Sequence, residues 1–237
     1  IPRFISILRS GNLIGAAETV KTANALATVC GRICPEEEFC QSVCTRARQD
    51  TPIAIRELHL VASSHEFRHG YSLPRSFPRN GRSVGVVGAG PAGLACSFEL
   101  ATLGYQVDLY EKTAPGGVPR NSIPAFRLSD EDLRADVDFL SRFFEFHKVL
   151  VDRRLFEEIR KSHDALFLSV GLGIDKPLPI PGAGLPGVLP VLSFLELAKK
   201  QPETLVPGKR VVVVGGGNVS LDAASTAKRL GSEEVIL

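Results

Sequence analysis

A doubly wound parallel α/β sheet, preceded by a small helical segment rich in cysteine, is the fold this sequence predicts. Three observations predict it. The apolar runs Ser83–Val87, Gln106–Tyr110, Ala165–Val170 and Arg210–Val214 are short and rich in β-branched residues, as buried parallel strands are. Two of these runs lead straight into glycine-rich turns and then into helical patterns, so strand and helix alternate. Four of the five cysteines crowd between positions 30 and 44.

The elements follow in order. Residues 1–66 read as helical: Ile5, Leu8, Leu13, Ile14 and Ala17 keep helical spacing around a Gly11-Asn12 break, and Ile53 to Val61 resumes it after the cysteines. Residues 67–82 hold two prolines, two glycines and four arginines, the composition of a solvated linker. The strand Ser83–Val87 then feeds a helix from about Pro91 to Leu103, closed by Gly104. Gln106–Tyr110 is the second strand. A helix over 129–144 is signalled by Ser129 as cap and by Asp130, Glu131 and Asp132 in its first turn. Ala165–Val170 is a further buried strand. Arg210–Val214 and a helix from about Asn218 to Leu230 repeat the theme, and Val235–Leu237 opens one more strand.

Composition narrows the classes. The chain has 237 residues, 44% hydrophobic and 23% charged, ordinary for a globular protein with a real core. No apolar run reaches the roughly 18 residues of a membrane span. A net charge of +2 gives no reason to expect a nucleic-acid partner. Cysteines clustered without a secretory segment point to the reducing cytoplasm, where thiols more often hold metal than form disulfides. There is no methionine, and the chain starts at Ile1, so a piece of a longer protein is expected.

The first glycine turn reads Gly88-Ala89-Gly90-Pro91-Ala92-Gly93. In such a turn the first glycine makes the bend. The second lets backbone approach a pyrophosphate on the helix N-terminus, and the third lets the helix pack against the strand. Pro91 suits a first helical turn, whose N–H groups lack intrahelical partners. Glu111 closes the second strand, where a carboxylate accepts ribose hydroxyl bonds. The second turn, Gly215-Gly216-Gly217-Asn218, is followed by Ser220 at the third-glycine place. Two nucleotide sites in one chain suggest a nicotinamide donor and a resident flavin.

Cys30, Cys34, Cys40 and Cys44 are spaced C-x3-C-x5-C-x3-C, with Pro35 beside the second. Thiolates bind the iron of a cubane cluster. The spacing is neither that of a bacterial ferredoxin nor that of a zinc ribbon, and zinc or plain buried thiols remain open readings. Cys96 stands apart as a packing residue.

G-x-G-P-A-G is the form of flavoproteins of the glutathione-reductase structural class, which implies FAD. Gly116-Gly117 is similar to the flavin-contacting pair of that class. Ala165 to Gly171 resembles its second FAD signature, with Ser169-Val170 in place of the usual Ala-Thr, and Pro177 to Gly182 continues the pattern. Cys30 to Cys44, Pro52 to Ile55, the FAD turn, Ile123 to Leu128 and the GGGN turn together resemble the small (β) subunit of NADPH-dependent glutamate synthase. Its relatives include the N-terminal half of dihydropyrimidine dehydrogenase and the large subunit of bifurcating ferredoxin:NADP oxidoreductases. The resemblance covers essentially all of the chain.

It implies a helical iron–sulfur domain (1–66), a linker (67–82), the first part of a Rossmann-like FAD domain (83–205) and the start of an inserted NAD(P)-binding Rossmann domain (206–237). It also implies two 4Fe-4S clusters, FAD and NAD or NADP. Cys34, Cys40 and Cys44 match ligands. Cys30 or a residue of the helix after Pro52 completes the set, and in some members Cys44 serves a different cluster from Cys34 and Cys40. Arg127 matches a flavin-contacting arginine, with a plain salt bridge as its alternative. The family's second cysteine group lies upstream of the segment matching Ile1-Pro2, and the residues choosing between NAD and NADP lie past Leu237. Val118 to Ser122 departs from the family pattern. The function implied is electron entry: NAD(P)H reduces FAD, and electrons leave through the clusters to a large catalytic subunit or fused domain, with no side chain acting as acid or base. A non-catalytic scaffold holding a cluster is the rival. A thiol–disulfide reductase would want a redox cysteine pair after the FAD turn, and an amine oxidase would need neither the GGGN turn nor the cysteines.

Overall fold

A computed structural model describes residues 1–69, 76–172, 175 and 178–237, with side chains of 65–69 left aside. The middle of the expected linker and Pro177 lie outside the described residues. The chain forms two compact units, Ile1–Gly117 with Asp130–Val170, and Val118–Ser129 with Gly171–Leu237.

The first unit begins with helices α1 (Pro2–Arg9), α2 (Leu13–Ala23) and α3 (Ala27–Ile33), a short 3-10 turn at Thr45–Arg48, and α4 (Ile55–His69). Gly11, at φ +80°, makes the break between α1 and α2, and Asn12 caps α2 by accepting from the Gly15 N–H at 2.8 Å. Phe4, Ala16, Val20, Ala27, Ile55 and Ala62 interlock as the core of this segment.

A four-stranded parallel sheet follows, ordered β3-β2-β1-β4: β1 (Ser83–Val87), β2 (Gln106–Glu111), β3 (Glu145–Lys148) and β4 (Ala165–Leu168). The crossover helices of this unit are α5 (Pro91–Thr102), α7 (Asp130–Leu140) and α8 (Arg153–Ser162); the short α6 (Gly117–Asn121), which precedes α7 in the chain, belongs from Val118 onward to the second unit. Phe98 of α5 meets Phe139 and Phe143 at ring centroid distances of 5.8 and 4.9 Å. These contacts join α5 to α7 and the turn after it. Asp152 caps α8 through the Leu155 N–H at 2.8 Å.

The second unit holds α9 (Val191–Lys200), the two-stranded parallel sheet of β5 (Arg210–Val212) and β6 (Glu234–Ile236), and α10 (Asn218–Arg229).

Three expectations need correction. The helix over 129–144 stops at Leu140, and Glu145–Lys148 forms a strand instead. Four residues at a sheet edge carry too little apolar pattern to announce themselves. The run Ala165–Val170 shortens to Ala165–Leu168 and is not buried, with Leu168 59% exposed. Among the described residues β4 is an edge strand, bonded to β1 alone. The strand expected over Arg210–Val214 ends at Val212.

Candidate cofactor sites

In the first unit the expected nucleotide turn is built closely. Gly88 has φ +102°, and its N–H donates to the Tyr110 carbonyl at 2.8 Å. A Cβ on Gly88 would lie 2.4 Å from the Ser169 carbonyl oxygen, and one on Gly93 would lie 1.9 Å from the Gly88 carbonyl oxygen. Neither position admits a side chain. Gly90 differs: a Cβ there would meet nothing nearer than Gly117 Cα at 4.0 Å. Its front is open, as a group stacked on the backbone requires. Gly90 is the N-cap of α5, Pro91 and Ala92 are exposed in the first turn, and no side chain caps the helix. The free N–H groups and the helix dipole there suit an anion.

Gly116 and Gly117 lie beside this turn. The Gly116 N–H donates to the Ala89 carbonyl at 2.8 Å, and a Cβ on Gly117 would sit 2.7 Å from Gly90 Cα. Glu111 accepts from the Ala89 N–H at 3.1 Å, the Thr113 N–H at 3.0 Å and the Thr113 hydroxyl at 3.1 Å. Burial opposes its ionisation, but these bonds from Ala89 and Thr113 hold the carboxyl below its ordinary range. Ser169 was not expected to contribute. Its hydroxyl donates to the Gly88 carbonyl at 2.8 Å and lies 3.1 Å from that of Val87, tying the end of β4 to the turn.

The cysteines divide by surroundings. Cys34, the C-cap of α3, has its thiol pushed up by burial and by the nearby Cys30 and Cys40, with Arg56 opposing. These three therefore share one neighbourhood. The Cys44 thiol is instead held below its ordinary range, chiefly by the nearby backbone N–H of Ile53. Buried Glu36 accepts from the Arg56 N–H at 2.8 Å and pairs with its guanidinium at 3.4 Å, while Arg56 also donates to the Cys34 carbonyl at 3.2 Å. The cysteine loop is thus pinned to the start of α4. An acid directly after Cys34-Pro35 was the available signal. All four thiols are partly exposed and unpaired. Soft donors, three of them neighbours, fit a 4Fe-4S cluster.

In the second unit Gly215 has φ +135°, and a Cβ on it would lie 2.5 Å from Ser220 Oγ. Gly216 and Gly217 have nothing within 4 Å of such an atom. Gly217 caps α10 with no side-chain bond, and Asn218 is its first residue. The open turn and uncapped helix fit a second dinucleotide. Arg127 is engaged within this unit: its guanidinium donates to Asp222 at 2.7 Å. Arg229 lies over the Phe126 ring at 4.4 Å, and Lys199 donates to the carbonyls of Ile123 at 2.9 Å and Pro119 at 3.2 Å. Gly171, at φ +71°, has open space around it.

Residues 82–237 match the pyridine nucleotide-disulphide oxidoreductase family. The chain belongs to that family. Residues 1–71 match the 4Fe-4S cluster domain II of dihydropyrimidine dehydrogenase. The chain is 35% identical to the NAD-dependent dihydropyrimidine dehydrogenase subunit PreT of Escherichia coli, with 98% of this chain and 57% of that protein covered. It is 34% identical to the NADPH-Fe(3+) oxidoreductase subunit beta of Geobacter sulfurreducens, covering all of this chain and 36% of that one. It therefore spans little more than half the length of the curated relatives it matches, or less. Among solved structures, 2-naphthoyl-CoA reductase in complex with 2-naphthoyl-CoA is similar at 25% identity and TM-score 0.50, over 67% of this chain and 24% of that one. An amine oxidase from Pseudomonas geniculata, at 20% identity and TM-score 0.52 over 86% of this chain and 30% of that one, shares the fold.

The chain is thus an electron-transfer oxidoreductase module that joins an iron–sulfur segment to a flavin and pyridine-nucleotide segment. The cofactor set of this family combination is FAD, NAD(P) and 4Fe-4S. Among the described residues no helix is long and apolar enough to cross a membrane.

Proposed function

We propose that this chain is the electron-entry part of a cytoplasmic multi-component reductase. The observation that carries the reading is the pair of glycine-capped, side-chain-free helix N-termini, α5 and α10, on one chain with a cysteine loop. With the cofactors bound, hydride passes from reduced nicotinamide to FAD, and single electrons leave through 4Fe-4S clusters to a partner subunit or fused domain.

The residues divide the labour. Gly88, Gly90, Pro91, Ala92 and Gly93 would hold the FAD pyrophosphate on α5. Glu111 would take the ribose, and Gly116 and Gly117 the neighbouring part of the flavin nucleotide. Gly171 leaves room for backbone approach. Gly215, Gly216, Gly217 and Asn218 would seat the nicotinamide nucleotide on α10. Cys30, Cys34 and Cys40 would serve one cluster, and Cys44 a second. Arg127 orders the 118–129 segment through Asp222, and the implied flavin contact is the other half of its proposed role. The domain division at 66, 82 and 205 belongs to the same proposal.

The first relative is a subunit of an NAD-dependent dihydropyrimidine dehydrogenase, so another subunit of an enzyme of that kind is the acceptor to try first. A glutamate synthase small-subunit role, implied by the sequence resemblance, is the second. None of the relatives above carries that name. The test is an anaerobic absorbance spectrum of the full-length parent protein before and after NADH or NADPH. Flavin absorbance that bleaches over a broad iron–sulfur shoulder supports electron entry and selects the nucleotide. A bound cluster with a flavin that neither nucleotide reduces favours the scaffold reading.

A further inference from the structure

Away from the nucleotide turns, the sheet of the first unit carries a polar cluster that the oxidoreductase reading does not use. Its register sets Gly85, Asp108 and Glu145 in one row across β1, β2 and β3, and Tyr110 beside His147 two residues further along the same face. Asp108 is buried, yet both its carboxylate oxygens meet imidazoles. Oδ1 lies 2.7 Å from His147 Nε2, and Oδ2 lies 3.3 Å from His163 Nε2. One ligand atom each from Asp108, Glu145 and His147 lie within 4.8 Å of one another.

The surroundings hold this arrangement in place. His163, at the end of α8, reaches the carboxylate across Gly85, where a Cβ would lie 3.4 Å from its Nδ1 and 2.8 Å from Ile159 and Leu166. Tyr110 stacks on His147 at 4.7 Å between centroids and 17° between planes, which fixes the imidazole plane. His163 Nδ1 faces the Ser162 hydroxyl and the Ile159 carbonyl, each at 3.0 Å, which holds the ring with Nε2 toward Asp108.

We propose that Asp108, Glu145 and His147 bind one divalent first-row transition-metal ion, and that His163 is the positioning residue that orients Asp108. One imidazole and two carboxylates supply borderline donors and two negative charges, a set that suits zinc and its neighbours. Metal–ligand bonds of about 2.0–2.2 Å place neighbouring donors about 3.3 Å apart in a tetrahedron, within the spread observed here. Entry of the ion displaces the proton between His147 Nε2 and Asp108, and small side-chain rotations open that 2.7 Å contact. His163 Nε2 lies 3.3 Å from the outer oxygen of Asp108, the position from which a second group orients a ligand carboxylate. Glu145 is exposed and His147 partly so, which leaves a path for the ion and a position for water.

The test uses the full-length parent protein with its clusters and flavin in place, and zinc chloride as the probe. After desalting, metal is counted per chain and the zinc environment is read by X-ray absorption. The expected result is one zinc with nitrogen and oxygen neighbours only, and at least tenfold weaker binding in both His147→Ala and Glu145→Gln at unchanged iron content. Three results would each overturn the proposal: no zinc held at micromolar concentration, equal zinc in wild type and both variants, or sulfur neighbours at about 2.3 Å. Glu145→Gln replaces an exposed edge-strand residue with its isostere, so the test survives if His147→Ala folds poorly.

Discussion

Lys21 of α2 and Asp136 of α7 form a fully buried ion pair, Nζ to Oδ1 at 2.6 Å. The same carboxylate accepts from the Thr28 N–H at 3.2 Å and the Val29 N–H at 2.8 Å. Asp136 therefore caps α3, whose own N-cap is Leu26, with no side chain to offer. Since Cys30 lies on α3 and Cys34 ends it, the ion pair ties the cysteine loop to α7, the helix that leads into β3. Lys21 also stands 4.7 Å from the centroid of the Phe139 ring.

Removing one partner strands the other as a buried charge. Asp136→Ala is expected to destabilise the protein by about 3–5 kcal/mol in urea unfolding, whereas replacing both residues with apolar ones of similar volume recovers only part of that loss, because the Thr28 and Val29 N–H groups stay unpaired. A loss under about 1 kcal/mol for the single variant would contradict the role assigned to the pair.

The glycines of the first turn separate folding from binding. Gly93→Ala forces a contact with the Gly88 carbonyl and is expected to lower the melting temperature and the flavin content together. Gly90→Ala has room in the protein, so it should melt like the wild type when both are stripped of flavin, yet retain several-fold less FAD after reconstitution. Bound FAD equal to that of wild type in Gly90→Ala would remove the pyrophosphate from this turn.

Glu111 ties the turn to acid stability. Its carboxyl is held below the ordinary range in the folded protein, so its contribution is fully present above about pH 4.3 and is lost as pH falls through the lower folded value. The stability difference between wild type and Glu111→Gln, measured in urea, should therefore narrow from pH 5 toward pH 3. A constant difference over that range would show that the bonds from Ala89 and Thr113 do not depend on the charge.

Arg127 and Asp222 invite a double-mutant cycle. The bond is short and Asp222 is largely buried, so a coupling of about 1.5–3 kcal/mol is expected. Arg127→Lys should recover only part of it, because a lysine presents a point charge rather than a planar fork.

What the sequence disclosed followed from how tightly chemistry constrains each residue. The spacing of Gly88, Gly90 and Gly93 was legible as a tight strand-to-helix turn, and the structure packs Gly88 and Gly93 too closely for any side chain while Glu111 bonds back to Ala89 in that turn. The alternation of strand and helix was legible for the same reason. Strand β3 was not, since Glu145 to Lys148 has no buried run to betray it. Asp136, Asp108 and Asp222 were equally silent. An acid inside a helix or strand resembles a surface residue until the fold brings Lys21, His147 or Arg127 to meet it from a distant part of the chain.

The second unit is woven from two stretches, 118–129 and 171–237, separated in the chain by α7, β3, α8 and β4. A graft that begins at Gly171 would leave behind Ile123, Phe126 and Arg127, the partners of Lys199, Arg229 and Asp222. Exchanging this module between relatives therefore takes two cassettes moved together, and a recombination breakpoint anywhere between the two stretches yields a chimera with mismatched halves.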